Sequence, residues 1–512
     1  MFSERDAMTG GRKLTETTIS GFGWTSLAVG ARALLQVIAI IFLARLLAPE
    51  QFGLFAAAMV VGGFCAIISE LGVSPAIVQR PALEPRHIRT GFTLSVAMGL
   101  VVGLVAYLLA DAIANFFQMP ELAGVVRIMA LGFPLRGLAT VAEALALRTF
   151  RFRWLALVEA GAFGLGFIVV APVLTLMDFG VYALVGAYLT QNIARTLILL
   201  FGQPHENRLM LESRAVGELL YFGTGFTIAK FCNYFASQAD NMVVGRWLGP
   251  VALGLYGHAY QLMAAPAILV GQALDRVLFP TMASVQSQPE RLARAYRGGI
   301  FACATVMLPA GVVIAILAPE IVHILLGPNW ASAAVPLRFL ALGMLFRTSS
   351  KISDSIVRAT GAVYARAWRQ GVFAMAVFVG ALSGQQWGLI GVAIGVLCAL
   401  ALNFLMMAQL SLRLSAMSWR TFGQAHLPGA LLALILGGSS ITIATGLRGT
   451  GAGSVPVVGG TILVAVLLVP LLIWMRPQLF LGPDRERLLL ALANVGPMRM
   501  RRGIALLQRR VS

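Results

Sequence analysis

Acidic residues are scarce in this chain. It holds 21 Asp and Glu against 39 Lys and Arg in 512 residues, and charged residues of both signs make up only 12%. A soluble globular protein carries about 25%, so a water-facing surface of ordinary extent is excluded. Cysteine is nearly absent: Cys65, Cys232, Cys303 and Cys398 stand singly in apolar segments. They form neither a disulfide framework nor a CxxC or Cys/His metal spacing, and they read as small packing residues. The five histidines (His87, His205, His258, His323, His426) are scattered without ligand spacing. There is no G-x-x-x-x-G-K-[ST] string, so ATP is not the direct energy source on this reading. The ~10-residue alternating segments of a membrane β-barrel are also missing. The first apolar segment is too long for a signal-peptide core and lacks an A-x-A-like exit, so it is expected to remain as an anchor. No catalytic residue, metal site or cofactor is expected.

What is present is apolar length. Hydrophobic residues make up 58% of the chain, and stretches of ~20 apolar residues, each able to cross ~30 Å of hydrocarbon, recur along nearly all of it. The fold class is an all-α polytopic membrane protein with about fourteen transmembrane helices. The net charge of +18 then points to cytoplasmic loops, and nucleic acid is not an expected partner. With the N-terminus inside, the outer connections hold only Arg45, Arg246 and Arg448. Most other Lys and Arg fall on the cytoplasmic side, which places both termini there.

Two strings each occur twice. Arg45-Leu-Leu-Ala-Pro49-Glu-Gln-Phe-Gly53-Leu-Phe55 returns as Arg246-Trp-Leu-Gly-Pro250-Val-Ala-Leu-Gly254-Leu-Tyr256. Arg127-Ile-Met-Ala-Leu-Gly132-Phe-Pro-Leu-Arg136 returns as Arg338-Phe-Leu-Ala-Leu-Gly343-Met-Leu-Phe-Arg347. The chain therefore reads as two related halves of six spans in parallel orientation, as many transporters are built. The expected organisation is a cytoplasmic N-terminus (1–21), an N-lobe (22–202), a cytoplasmic inter-lobe loop (203–217), a C-lobe (218–411), two extra C-terminal helices (412–475) and a basic cytoplasmic tail (476–512). The tail reads as an interfacial segment on anionic lipid, or simply as a basic topology signal. The Arg–Pro–Gly string reads as punctuation at a helix end.

Ionisable groups inside spans are costly and usually face water or a partner. The cations are Arg32, Arg127, Arg136, Arg195, Lys230, Arg338, Arg347 and Lys351. The acids are fewer: Glu70, Glu143, Glu159, Asp240 and Asp354, with Asp275 near a span end. Arg347, Lys351, Asp354 and Arg358 share one helical face, as do Arg136, Thr140 and Glu143, and Lys230, Asn233, Ser237 and Asn241. Arg127 and Arg136 are nine residues apart and face opposite ways on a straight helix, unless Pro134 bends it. The deeper Arg136 and Arg347 are the better cavity candidates. Arg32, Arg136, Arg195, Lys230, Arg347 and Lys351 are taken as a cationic cavity for an anionic, hydrophilic substrate, arginine suiting phosphate because its planar fork donates in pairs. Glu143, Asp240 and Asp354 are the ion-coupling candidates. The competing expectation is internal neutralisation, Arg136 with Glu143 and Lys351 with Asp354.

The run Leu43-Ala-Arg45-Leu-Leu-Ala-Pro49-Glu-Gln-Phe-Gly53-Leu, followed by Glu70-Leu-Gly72-Val-Ser-Pro-Ala-Ile-Val-Gln79-Arg80, resembles the polysaccharide transporters of bacterial envelopes. So do Phe222-Gly223, Asp240 to Gly245, Leu253-Gly254-Leu-Tyr256, Arg276-Val-Leu-Phe-Pro280, Ala295-Tyr296-Arg297 and Leu326-Gly327-Pro-Asn-Trp330. The resemblance, over roughly residues 20–412, is to Wzx-type flippases of the colanic acid and succinoglycan exporter branch. These sit within the superfamily of multidrug, oligosaccharidyl-lipid and polysaccharide exporters. It implies translocation of an undecaprenyl-pyrophosphate-linked oligosaccharide to the periplasmic leaflet of the bacterial inner membrane, by two six-helix lobes rocking about a central cavity. The implied partners are that lipid-linked substrate, membrane lipids, and a polysaccharide polymerase and chain-length regulator. A lipid II flippase and a multidrug exporter remain open within the superfamily, and a membrane-embedded glycan polymerase or ligase outside it. The basic cavity argues against cationic drugs, and the short outer loops argue against a polymerase.

Overall fold

The structure is a computed structural model and describes residues 35–480 apart from Asn207. Nearly every described residue is helical, and no strand occurs among them. The order is α1 (Leu35–Leu46), α2 (Pro49–Glu70), α3 (Val73–Gln79), α4 (Pro85–Leu108), α5 (Ala110–Phe117), α6 (Leu122–Ala130), α7 (Gly132–Arg148), α8 (Phe152–Phe163), α9 (Ala171–Leu176), α10 (Val181–Gly202) and α11 (Ser213–Val243). Then follow α12 (Gly249–Ser284), α13 (Pro289–Ile316), α14 (Ala318–Leu325), α15 (Ala334–Leu342), α16 (Met344–Ala359), α17 (Val363–Gly384), α18 (Gly388–Ser415), α19 (Trp419–Gly449) and α20 (Ser454–Met475). Pro49, Pro85 and Pro289 each open a helix, where a missing N–H costs nothing and a fixed φ helps.

Ten continuous helical stretches among the described residues are long and apolar enough to cross a membrane, or eleven if the bent pair Pro328–Leu342 and Met344–Ala359 counts as one. Two of them, Ser213–Ser284 with 72 residues and Val363–Ser415 with 53, are long enough for two crossings each at ~20 residues per crossing. Near Pro134 the helix is interrupted at Leu131, between α6 and α7, and Pro134 sits in the first turn of α7, while Leu122–Arg148 continues as one stretch. The second copy bends at the matching place: α15 and α16 meet at Gly343 with a 42° change of direction.

The chain divides into two compact units, Met1–Gly254 and Leu255–Ser512. The division falls early in α12, one long helix later than the 203–217 loop marked by the repeat. In the first unit, Val73, Ala76 and Ile77 of α3, Phe92 of α4, Val141 and Ala144 of α7, and Leu219 of α11 form one buried cluster. Here too the duplicated strings meet. A Cβ built on Gly53 would stand 1.7 Å from the Pro250 carbonyl oxygen, and one on Gly254 would stand 2.0 Å from the Pro49 carbonyl oxygen. The contact is reciprocal, glycine of each copy against proline of the other, and only residues without a side chain permit it. The string read as punctuation is therefore also a packing surface. In the second unit α13 lies along α19, α17 and α18 form a hairpin, and α16 packs on α13 and α18. The added helices are pinned by Arg448 of α19, which forks onto Glu320 of α14 at 2.8 and 2.9 Å.

Candidate substrate-binding site

In the first unit, two expected cavity cations are taken up by carboxylates. Arg195 on α10 holds Glu143 of α7 at 2.7 Å and pairs through Nε with Glu159 of α8. Its side chain is 15% exposed and those of the two acids about twice that, so this is a partly buried triad linking three helices. Lys230 of α11 meets Glu70 at the end of α2 at 2.6 Å. Arg136 is different. It is half-buried on α7, its own carbonyl accepts the Thr140 hydroxyl at 2.9 Å, and its guanidinium has no hydrogen bond or ion pair among the described residues. Arg32 lies outside the described residues.

In the second unit, Arg347 donates to the Tyr260 hydroxyl of α12. Its guanidinium carbon lies 5.1 Å from that ring's centroid, a cation–π distance, while its Nε is buried without a partner. Lys351, one turn further along the same face, accepts the Ser355 hydroxyl at its backbone carbonyl at 3.1 Å, but its ammonium has neither hydrogen bond nor ion pair among the described residues. The acids that could neutralise them are occupied: Asp354 by Arg366 and by Arg358 at 3.2 Å, and Asp275 by Arg358 at 2.5 Å and by the Ser355 hydroxyl.

The expected pairs Arg136–Glu143 and Lys351–Asp354 do not form. Residues 136 and 143 share a face but stand about 10 Å apart along the axis, and the guanidinium of Arg195 reaches Glu143 instead. Of the ion-coupling candidates, Glu143 and Asp354 are held by arginines, and Asp240 is buried, at 3% exposure, accepting the Asn241 backbone N–H at 2.9 Å. Among the described residues the two copies thus share a plan: an arginine outside any ion pair on α7 and α16, and seven residues later an acid that is paired, Glu143 with Arg195 of α10 and Asp354 with Arg366 of α17 and Arg358 of its own helix.

Three participants were not legible as such. Tyr260 lies in an apolar run and carries no polar periodicity. Tyr234 donates to the carbonyls of Met59 and Val60 at 3.1 and 3.3 Å. Arg369 is 4% exposed on α17 and donates to the carbonyls of Met406 and Ala365.

These features define a polytopic helical membrane protein in which, among the described residues, Arg136, Arg347 and Lys351 of the spanning helices stand outside any ion pair. Its fold is similar to that of the lipid II flippase MurJ in an inward closed conformation, with a TM-score of 0.71 at 13% identity over 88% of this chain and 98% of that one. The chain belongs to the family described as polysaccharide biosynthesis protein, which matches residues 42–335. It is 27% identical over 394 residues to the lipopolysaccharide biosynthesis protein WzxC of Escherichia coli, covering 76% of this chain and 80% of WzxC. It is 28% identical over 327 residues to the succinoglycan biosynthesis transport protein ExoT of Rhizobium meliloti, covering 64% of this chain and 66% of ExoT.

Proposed function

We propose that the chain is a flippase that carries an undecaprenyl-pyrophosphate-linked oligosaccharide from the cytoplasmic to the periplasmic leaflet of the inner membrane, for surface polysaccharide synthesis. The observation that carries this reading is that, among the described residues, Arg136, Arg347 and Lys351 form no ion pair on spanning helices where Glu70, Glu143, Glu159, Asp275 and Asp354 are all paired. An uncompensated cation in a membrane costs several kcal/mol unless water or an anion reaches it. A pyrophosphate supplies that anion, and the prenyl tail stays in lipid. WzxC and ExoT, named for lipopolysaccharide and succinoglycan biosynthesis, support the substrate class.

The topology belongs to the same proposal. Reading each double-length stretch as two crossings, the bent pair as one, and the segment ending in α1 as the first gives fourteen spans, with both termini cytoplasmic. Arg136, Arg347 and Lys351 bind the phosphates. Arg195 and Lys230 act within their ion pairs, and Arg32 is retained as a sequence-based candidate. A polymerase and chain-length regulator act on the product outside. The test is replacement of Arg136, Arg347 and Lys351 together by Gln in cells that depend on this chain. Surface polysaccharide should fall at least tenfold while lipid-linked repeat units accumulate on the cytoplasmic side. Undiminished export from the triple variant would sink the reading.

A further inference from the structure

Where Arg195 and Arg358 each hold two carboxylates, Arg347 holds a tyrosine. Its Nη1 donates to the Tyr260 hydroxyl of α12. The Tyr260 ring lies 6.2 Å from that of Tyr256, one turn back and fully buried, so the phenol packs on a fixed neighbour. The remaining donors of Arg347 on Nε and Nη2 share one edge of the planar guanidinium. Nε is buried without a partner, and Nη2 has none among the described residues. Helix α12 also leaves room for the second cation of that face: a Cβ built on Gly271 would stand 3.1 Å from Cδ of Lys351.

We propose that Tyr260 is a positioning residue, which holds Arg347 by Nη1 and so presents the Nε–Nη2 edge to the phosphates of the substrate. The inference rests on the reading of Arg347 as a phosphate ligand. The Nε–Nη2 edge is a fork whose two parallel N–H groups match two oxygens of one phosphate. A buried donor left without an acceptor calls for one, and a phosphate oxygen supplies it. The neutrality of Tyr260 matters as much as its place. A carboxylate there would cancel the charge, as Glu143 and Glu159 do at Arg195, and the substrate would first have to displace it. A phenol fixes the fork through one hydrogen bond of modest strength and leaves the charge to the ligand. The repeat supplies an internal comparison. With Pro250 matched to Pro49, Tyr260 falls at the place of Met59, and a thioether is only a weak acceptor. Arg136, the first copy's arginine, has no hydrogen bond at its guanidinium among the described residues. The second copy thus carries the arginine that is already aimed.

The test uses the full chain in detergent, with a short-chain prenyl pyrophosphate as probe and the matching prenyl alcohol as control. Affinities and thermal midpoints are measured for the wild type, Tyr260→Phe, Arg347→Gln and the double variant. Tyr260→Phe keeps the ring and loses the hydroxyl. It should weaken pyrophosphate binding about tenfold, with the midpoint and the affinity for the alcohol unchanged. In the Arg347→Gln background it should cost nothing further, because its effect runs through that arginine. Tyr260→Met, which installs the first copy's residue, should give the same pattern and takes its place if Tyr260→Phe folds poorly. An equal loss in both backgrounds, an equal loss for the alcohol, or full affinity in Tyr260→Phe while Arg347→Gln binds poorly would each overturn the positioning role and leave the functional reading standing. If Arg347→Gln itself binds the pyrophosphate as the wild type does, Arg347 is no phosphate ligand, and the functional reading falls together with this inference.

Discussion

Arg136 and Arg195 lie on adjacent helices of the first unit and answer differently to substitution. Arg195 closes a triad with two carboxylates, so Arg195→Ala leaves Glu143 and Glu159 uncompensated and should cost about 1–3 kcal/mol of stability, seen as an earlier thermal transition in detergent. Arg136 closes nothing, so Arg136→Gln should leave that transition within about 0.5 kcal/mol while export falls. The sequence marked both as intramembrane arginines but could not separate them. The acids of Arg195 sit on α7 and α8, and which of several cations reaches a given acid depends on helix packing. The face shared by Arg347, Lys351, Asp354 and Arg358 was legible because it needs only the helical period. Its neutral partner Tyr260 was not, since a tyrosine in an apolar run has the pattern of a core residue.

Among the elements, α14 and α19 offer a pH test. Burial works to raise the Glu320 carboxyl, but the hydrogen-bonded fork of Arg448 outweighs it and holds the group below its ordinary value. A depressed folded value means that the pair's contribution is complete above the unfolded value of ~4.3 and is lost as pH falls through the folded one. The difference in thermal midpoint between the wild type and Glu320→Gln should therefore be largest at neutral pH and shrink toward pH 3. A difference that grows on acidification would contradict the assigned pairing. Element identity itself was legible almost everywhere, since apolar runs of membrane-spanning length leave the backbone no choice but helix. The helix break at Leu131 and the bend at Gly343 were half-legible. The repeated Gly132 and Gly343 mark them, whereas Pro134, the residue expected to cause the first, lies inside the new helix, where proline is tolerated. The division after Gly254 was hidden because a repeat records descent along the chain and carries no information about which neighbours a helix packs on.

At the scale of the whole molecule, the pairing of the spanning carboxylates bears on energy supply. Glu143 and Asp354 are both engaged in ion pairs with arginines, so a proton cycle on either would first have to break an ion pair. A substrate carrying about −2 gains ~7 kcal/mol on moving outward through ~150 mV, inside negative, at 2.3 kcal/mol per charge per 100 mV. Collapsing the potential in vesicles while keeping the proton gradient should therefore slow export strongly, and unchanged export would show that another gradient drives it. The reciprocal contact of Gly53 with Pro250 and Gly254 with Pro49 makes a last demand. Gly53→Ala or Gly254→Ala should each cost about 1–3 kcal/mol by overpacking, because the obstructing atoms are carbonyl oxygens that cannot rotate away. Neither loss can be repaired by altering neighbours within the same string, since the obstacle belongs to the other one. Each half of the chain is thus the mould in which the other's string was cast, and the two can drift only in step.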